Sequence, residues 1–546
     1  MTTFEVKKRD GLARKGIFIH EGVRFDTPSV IEAETIFPAL SECTSRNIPL
    51  SAGKDFTTMY EWCGEGQPVW VHPEGSCTPD HGDVVLVRNW HTASGNPRNY
   101  VNWLTALKSR IFPDTAWYAP AAALPSNVAI LCYSGFDFLD FTGVDLCSVQ
   151  GLFCMPEGNF SGDLIESGVC TCRGCEQGDL LTHNRMALLR EVALVSKYIS
   201  MGQLRELVES RCRLHSWQVA VIRHLDNNYP FIEKAVPVVR DSALGATTGE
   251  TLNRVEVRRF AERVIGRYVP PESEVTVLLP CSAKKPYSLS QSHRRFAQVI
   301  NGRALELIVT SPLGLVPREL ENIYPAAHYD VPVTGYWDAE EKAFISSVLA
   351  RYFERHTESR YIAHLEGGAL DVVMMAAERT GTEVEVTCTG RPTSSESLQS
   401  LESALSGMRK VRQNLVRGTC SWQFNCVPDT KGMTIRGRYP EIAVMKNRTP
   451  LFTLDTGTGL LKPTFAGWEY ISSGYRVYID DFIPQGDILA PGVTGADPAV
   501  REGDEVLVIG PRALATGRAS MNAEEMERSV RGVAVRVRKI KNVKMQ

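Results

Sequence analysis

The segment PCSAKKPYSLSQSH (280–293) brings a thiol (Cys281), hydroxyls (Ser282, Tyr287, Ser290, Ser292), amines (Lys284, Lys285) and an imidazole (His293) into fourteen residues. The thiolate is the reactive form of cysteine, and two lysines beside Cys281 are expected to favour it by their charge. The alternative is a buried strand-end cysteine followed by a solvated loop. The density of functional groups favours a site. The apolar run EVTVLLP (274–280) just ahead of it reads as a buried strand, and in an open α/β sheet the carboxyl ends of strands are where ligands bind. Pro286 sets a turn within the segment.

A second cluster is Cys170-Thr-Cys172-Arg-Gly-Cys175, followed eight residues later by His183. Three thiolates and one imidazole suit a tetrahedral Zn²⁺ with no open position, so Cys170, Cys172, Cys175 and His183 are expected to hold one structural zinc. Basic residues gather in two places. Arg536, Arg538 and Lys539 lie on a C-terminal strand pattern whose alternation puts Arg536 and Arg538 on one face, suited to phosphate contact. Arg409, Lys410 and Arg412 are expected to extend that footprint on the preceding segment.

The elements that must position these groups follow from periodicity. Leu188, Val192, Val195 and Ile199 recur at spacings of four, three and four, one apolar helical stripe that Gly202 interrupts. Beyond Val255 the pattern alternates between strand and helix: strands at 274–280, 305–311, 360–365 and 383–389, with helical segments between them. Asp338 is the expected N-cap of a helix running to about Arg355. Such alternation predicts a mostly parallel sheet. The polar run 390–403 reads as a linker.

The chain is long enough for three to four domains at 546 residues, with 43% hydrophobic and 23% charged residues. We divide it at 1–235, 240–392, 400–473 and 474–546. The fold class expected is multidomain α/β and α+β. Sixty basic against sixty-three acidic residues give a net charge of −3, so a nucleic-acid partner is met by a local patch. The N-terminus has no apolar leader, Ala116 to Leu131 is broken by Pro120 and Pro125, and the fourteen cysteines suit a reducing compartment. A cytoplasmic protein that does not enter membranes is expected, and an oligomer is compatible with the sequence. No Walker-type phosphate loop is evident, so no nucleotide cofactor is expected.

Resemblances add to this reading. CTCRGC followed by LLTHNRMALLREVALVSKYISMGQLRELVE resembles the zinc segment of archaeal tRNA-guanine transglycosylases, and GFDFLDFTGVDLCSVQGLFCMPEG resembles their nucleophile segment, with Asp140 at the matching position. The D-S-G-G-F-Q segment that supplies their second aspartate is missing. The resemblance implies a degraded TIM-barrel-like N-terminal region in which Asp140 contacts the substrate base. GDILAPGV, GDEVLVIG and ATGRASM resemble a PUA domain, a small RNA-binding β-barrel. The motif 280–293, together with SPLGLVPRELENIYPAAHYDVPVTGYW (311–337), resembles archaeosine synthases.

That resemblance implies chemistry on tRNA carrying 7-cyano-7-deazaguanine in its D-loop. The nitrile gains an amine from lysine or glutamine, and a partner radical-SAM enzyme follows. A nitrile carbon is electrophilic, so Cys281 would add to it and form a thioimidate that the amine displaces. His293 would move protons, while Lys285, Tyr287, Ser282, Ser290 and Ser292 would orient the donor or the nitrile nitrogen. The same residues acting only to bind the donor is the non-covalent version. The rival functions are an active transglycosylase and a non-catalytic tRNA-binding protein.

Overall fold

The computed structural model describes residues 3–20, 22–32, 69–71, 84–87, 90, 94–331, 336–411, 414–472 and 474–543. They divide into two compact units. The first comprises residues 1–237, 485–502 and 520–536. The second comprises 238–484, 503–519 and 537–546.

The first unit is built on five parallel strands, in the spatial order Ser29–Ile31, Phe138–Asp140, Ala116–Tyr118, Val84–Val87, Val69–Val71. The short apolar sequences VVLV, AWY and FLD of Val84–Val87, Ala116–Tyr118 and Phe138–Asp140 are fully buried, as parallel strands covered on both faces require. Five such strands among the described residues fall short of the eight of a closed TIM barrel, in keeping with a degraded one. The helix Leu180–Met201 packs on this core through Leu188, Val192, Val195 and Ile199, all buried. Asp179 caps its start by accepting from the Thr182 amide at 3.2 Å, and Gly202, at φ +68°, ends it in a left-handed turn.

In the second unit a five-stranded sheet runs in the order Gly314–Pro317, Leu305–Thr310, Val275–Pro280, Arg360–Ala363, Val384–Val386. Every pairing is parallel except that of Gly314–Pro317 with Leu305–Thr310, a hairpin at one edge. Asp338 forms a reciprocal capping box with Glu341 at the head of the helix Ala339–Arg355.

The linker expected at 390–403 is corrected by the structure. Ser395–Ala404 is a helix whose Ser394 accepts from the Ser397 amide. Leu401 and Leu405 sink into the core beside Val277 and Phe296. Short polar residues that looked like a linker are the cap and exposed face of an amphipathic helix. An antiparallel sheet follows, Thr434–Arg438, Glu441–Lys446, Thr449–Leu454 and Leu461–Pro463. Between Arg476 and Asn542 six strands make a mixed sheet.

One carboxyl in the first unit ties stability to pH. Burial raises Glu502 to about 7; Arg9 opposes that shift, Glu525 reinforces it, Lys8 opposes it and Asp10 reinforces it. Its Oε2 finds no hydrogen-bond partner among the described residues. A folded-state value above the unfolded one means that the native state holds this proton more tightly. The stability it contributes is therefore present below about pH 4 and is lost as pH rises through 7. Glu502→Gln is expected to flatten this dependence and to exceed the wild type at pH 8 by roughly 1–3 kcal/mol. Thermal melts at pH 5 and pH 8 check it.

Candidate catalytic site and metal centre

The strand Val275–Pro280 delivers Cys281 to the carboxyl end of the parallel sheet of the second unit. Pro280 pairs with Val309, so Cys281 leaves the sheet beside Thr310, the last residue of the neighbouring strand, whose hydroxyl favours the charged form of the thiol. Thr310 Oγ1 lies 2.7 Å from Tyr329 Oη, and Tyr329 Oη lies 2.7 Å from Tyr287 Oη. A line of hydroxyls thus runs from the thiol into the core. Lys285 Nζ sits over the Tyr329 ring, 3.7 Å from its centroid, within the electrostatic reach of Cys281 and Asp330.

The electrostatics differ from the sequence expectation in one respect. Burial pushes the Cys281 thiol up, and the Thr310 hydroxyl and the Lys285 charge only partly oppose this. Burial also pulls the Lys285 ammonium down, against Cys281 and Asp330. Burial thus works against the charged form of both groups. Lys284 is exposed.

His293 is buried, and both of its ring nitrogens are occupied. Nδ1 accepts from Arg318 Nη2 at 2.8 Å, and Nε2 donates to the Pro280 carbonyl at 3.0 Å. Burial first, and then the Arg318 charge, push it down to about 3. It is a neutral bracket between strand end and helix, a geometry that does not supply the proton carrier expected of it. Ser290 likewise caps the helix Gln291–Ile300 by accepting from the His293 amide. Ser292 stands 3.2 Å from Ser290, and Ser282 donates to the Lys284 carbonyl at 2.9 Å. These serines shape the loop.

Arg318 ties the arrangement together. Its guanidinium meets Glu306 at 2.5 Å and Glu321 at 2.8 Å besides His293. Glu321 in turn accepts from the Ser288 amide at 2.9 Å, which anchors the loop. Thr310, Tyr329, Arg318, Glu306 and Glu321 escaped the sequence reading of the site. They come from other strands and turns, although Arg318, Glu321 and Tyr329 fall in the signature 311–337.

The metal cluster forms as the spacing predicted. The ligand atoms of Cys170, Cys172, Cys175 and His183 lie within 4.8 Å of one another. Cys172 and Cys175 sulfurs are 3.7 Å apart, and His183 Nδ1 is 3.4 and 3.2 Å from them. A tetrahedral ion about 2.3 Å from each sulfur separates two sulfurs by roughly 3.8 Å. The four donors therefore fit a metal ion. His183 Nε2 faces the Cys154 carbonyl at 3.2 Å, which fixes the tautomer that offers Nδ1. Phe153 stacks on the ring at 3.6 Å. A side chain at Gly174 would meet the His183 amide at 2.3 Å, so only glycine lets the loop close.

Asp140 ends the strand Phe138–Asp140 and is buried. It accepts from Tyr118 Oη at 2.5 Å, the Ala121 amide at 3.0 Å and the Thr142 amide at 2.9 Å. The carboxylate is spent on the protein's own donors. That geometry ties a strand to its loops and does not offer the contact with a base that the transglycosylase resemblance implied.

Among the basic residues, Arg409, Lys410, Arg536 and Lys539 are exposed. Lys410 also donates to Asn301 Oδ1 at 3.1 Å. Arg538 is engaged by the buried Glu505 at 2.5 Å, so its charge is already matched. Arg412 lies outside the described residues. No helix among the described residues is long and apolar enough to cross a membrane.

Comparison with known proteins places this arrangement. Residues 475–541 match the PUA domain family, and residues 257–405, which hold Cys281, match a domain of unknown function. The chain is 34% identical to the archaeosine synthase of Haloferax volcanii, across 98% of this chain and 99% of that one. The chain belongs to the archaeosine synthase family.

The archaeosine synthase subunit alpha of Methanosarcina acetivorans is 39% identical over 84% of this chain and 80% of its own. The tRNA-guanine(15) transglycosylase of Methanothermobacter thermautotrophicus is more distant, at 24% over 86% and 71%. The archaeosine synthase family acts in tRNA archaeosine biosynthesis, which favours a tRNA-modifying enzyme over a base-exchanging transglycosylase or a non-catalytic RNA binder.

Proposed function

We propose that this archaeosine synthase family member works at Cys281 on the nitrile of 7-cyano-7-deazaguanine in the D-loop of tRNA. The thiol gives its proton to Lys285, and the sulfur adds to the nitrile carbon, forming a C–S bond and breaking one π bond. Lys285 returns the proton to the nitrile nitrogen, leaving a thioimidate. The amine of lysine, or ammonia released when water hydrolyses the side-chain amide of glutamine to glutamate, then adds to the same carbon. The C–S bond breaks, sulfur leaves as thiolate, and the proton shed by the amine restores the thiol. The product is an amidine, on which a radical-SAM partner would act next. The observation that carries this reading is the thiol at the sheet's carboxyl end, coupled to Lys285 and to the hydroxyls of Thr310, Tyr329 and Tyr287.

Omitting the amine tests it. Protein and cyano-modified tRNA alone should accumulate a covalent adduct seen by denaturing gel and intact mass, and Cys281→Ala should give none. A wild-type protein that forms no adduct under those conditions turns the loop into a donor-binding site. RNA contact falls to the PUA domain and to Arg409, Lys410, Arg536 and Lys539.

The four-donor cluster we assign to zinc, because three thiolates and one imidazole leave a d¹⁰ ion with a closed tetrahedral shell. It would hold the loop 170–183 on its helix and take no part in the reaction. Cys175→Ser, or prolonged chelation, is expected to remove one equivalent of zinc and destabilise the first unit by several kcal/mol, with little change in turnover at low temperature. Elemental analysis paired with thermal melts measures both.

A further inference from the structure

Tyr329 touches Lys285 with its ring and, with its hydroxyl, Thr310, the strand-end neighbour of Cys281. Its ring lies 3.7 Å from Lys285 Nζ. Its hydroxyl reaches Thr310 Oγ1 at 2.7 Å, and Thr310 stands beside Cys281 at the ends of two paired strands. Tyr287 Oη braces the same hydroxyl from behind at 2.7 Å. The tyrosine is 5% exposed, and its backbone is pinned on either side. The Leu244 amide donates to the His328 carbonyl and the Ala246 amide to the Asp330 carbonyl, each at 2.8 Å.

We propose that Tyr329 is a positioning residue that holds Cys281 and Lys285 within proton-exchange range and stabilises the thiolate through Thr310. The inference rests on reading Cys281 and Lys285 as the reacting pair. In the resting pair the Thr310 proton points at the Ser311 carbonyl 3.2 Å away. When the proton leaves sulfur, an S–H bond breaks and an N–H bond forms on Lys285. The Thr310 hydroxyl then turns its proton from Ser311 to the sulfur. Tyr329 donates to Thr310 and Tyr287 donates to Tyr329, so each hydroxyl polarises the next. No electron changes hands.

Phenylalanine at this position keeps the ring face for the ammonium and loses the hydroxyl, whereas leucine loses both. The experiment follows iodoacetamide alkylation of Cys281 in the full chain, by peptide mass, from pH 6 to 10. Tyr329→Phe and Thr310→Val should each move the midpoint of the profile upward and slow alkylation at pH 7 by about three- to tenfold. Tyr329→Leu should slow it by roughly a further threefold or more, as Lys285 loses its seat. If Tyr329→Leu fails to fold, Lys285→Met supplies that arm.

A Tyr329→Phe profile that overlays the wild type overturns the inference, because a merely structural tyrosine would leave the thiol's titration alone. Nitrile turnover is not read in this test. A null result here therefore stays distinguishable from a failure of the nitrile reading, which the adduct experiment decides.

Discussion

A Cys281→Ala chain is expected to lose at least about a thousandfold in turnover on cyano-modified tRNA while binding that tRNA as tightly as before. The loss is large because covalent catalysis replaces one hard addition with two easier ones, and no neighbouring group can substitute. Thr310, Tyr329 and Tyr287 offer hydroxyls whose partners are one another. Lys285 can accept a proton but stands over an aromatic ring. Binding should persist because the exposed cations expected to meet phosphates, Arg409 and Arg536 among them, lie outside the loop 281–293. Steady-state kinetics and a filter-binding isotherm on the same preparation separate the two. Turnover within tenfold of wild type would leave the motif as a donor-binding loop.

Removing Arg318 is expected to have the largest effect on stability in the second unit. Burial opposes its charge, but Glu306 and Glu321 more than offset this and hold the guanidinium protonated. Arg318→Met would strand two carboxylates and one imidazole without their common partner. Breaking one side of a buried ion cluster typically costs about 3–5 kcal/mol, and urea unfolding of the full chain would register it. Because Glu321 also anchors the Ser288 amide, the variant should lose turnover even where it remains folded. A cost below about 1 kcal/mol would mean that the cluster is solvated in a way its geometry does not suggest.

Much of the fold was legible because it rests on local chemistry. The stripe Leu188, Val192, Val195, Ile199 could only be a helix packed on one face, and Gly202 could only end it. Asp338 reads as a helix start, and the apolar run 274–280 as a strand in a covered sheet. The metal cluster was legible for the same reason, since its four ligands fall within fourteen residues. The site around Cys281 was half legible. Sequence proximity points to the segment where the thiol, Lys285 and Tyr287 lie, but it does not show that His293 Nε2 and Ser290 Oγ are engaged with the backbone. It could not find Thr310 and Tyr329, which reach Cys281 only once three chain segments meet at one end of the sheet. Nor could it weigh burial against charge, because the cover over Cys281 comes from distant residues. The segment 390–403 misled for a related reason: serine is common in linkers and equally common at helix caps, and only the buried leucines decide between them.

The most direct measurement is nucleoside mass spectrometry of tRNA carrying 7-cyano-7-deazaguanine after incubation with the wild-type chain and lysine, with glutamine in a parallel reaction. The nitrile nucleoside is expected to be consumed and replaced by its addition product, heavier by the whole donor for lysine or by ammonia for glutamine, and Cys281→Ala is expected to leave it untouched. A nitrile nucleoside that survives unchanged with the wild-type chain and both donors, on tRNA that the protein demonstrably binds, would contradict this expectation.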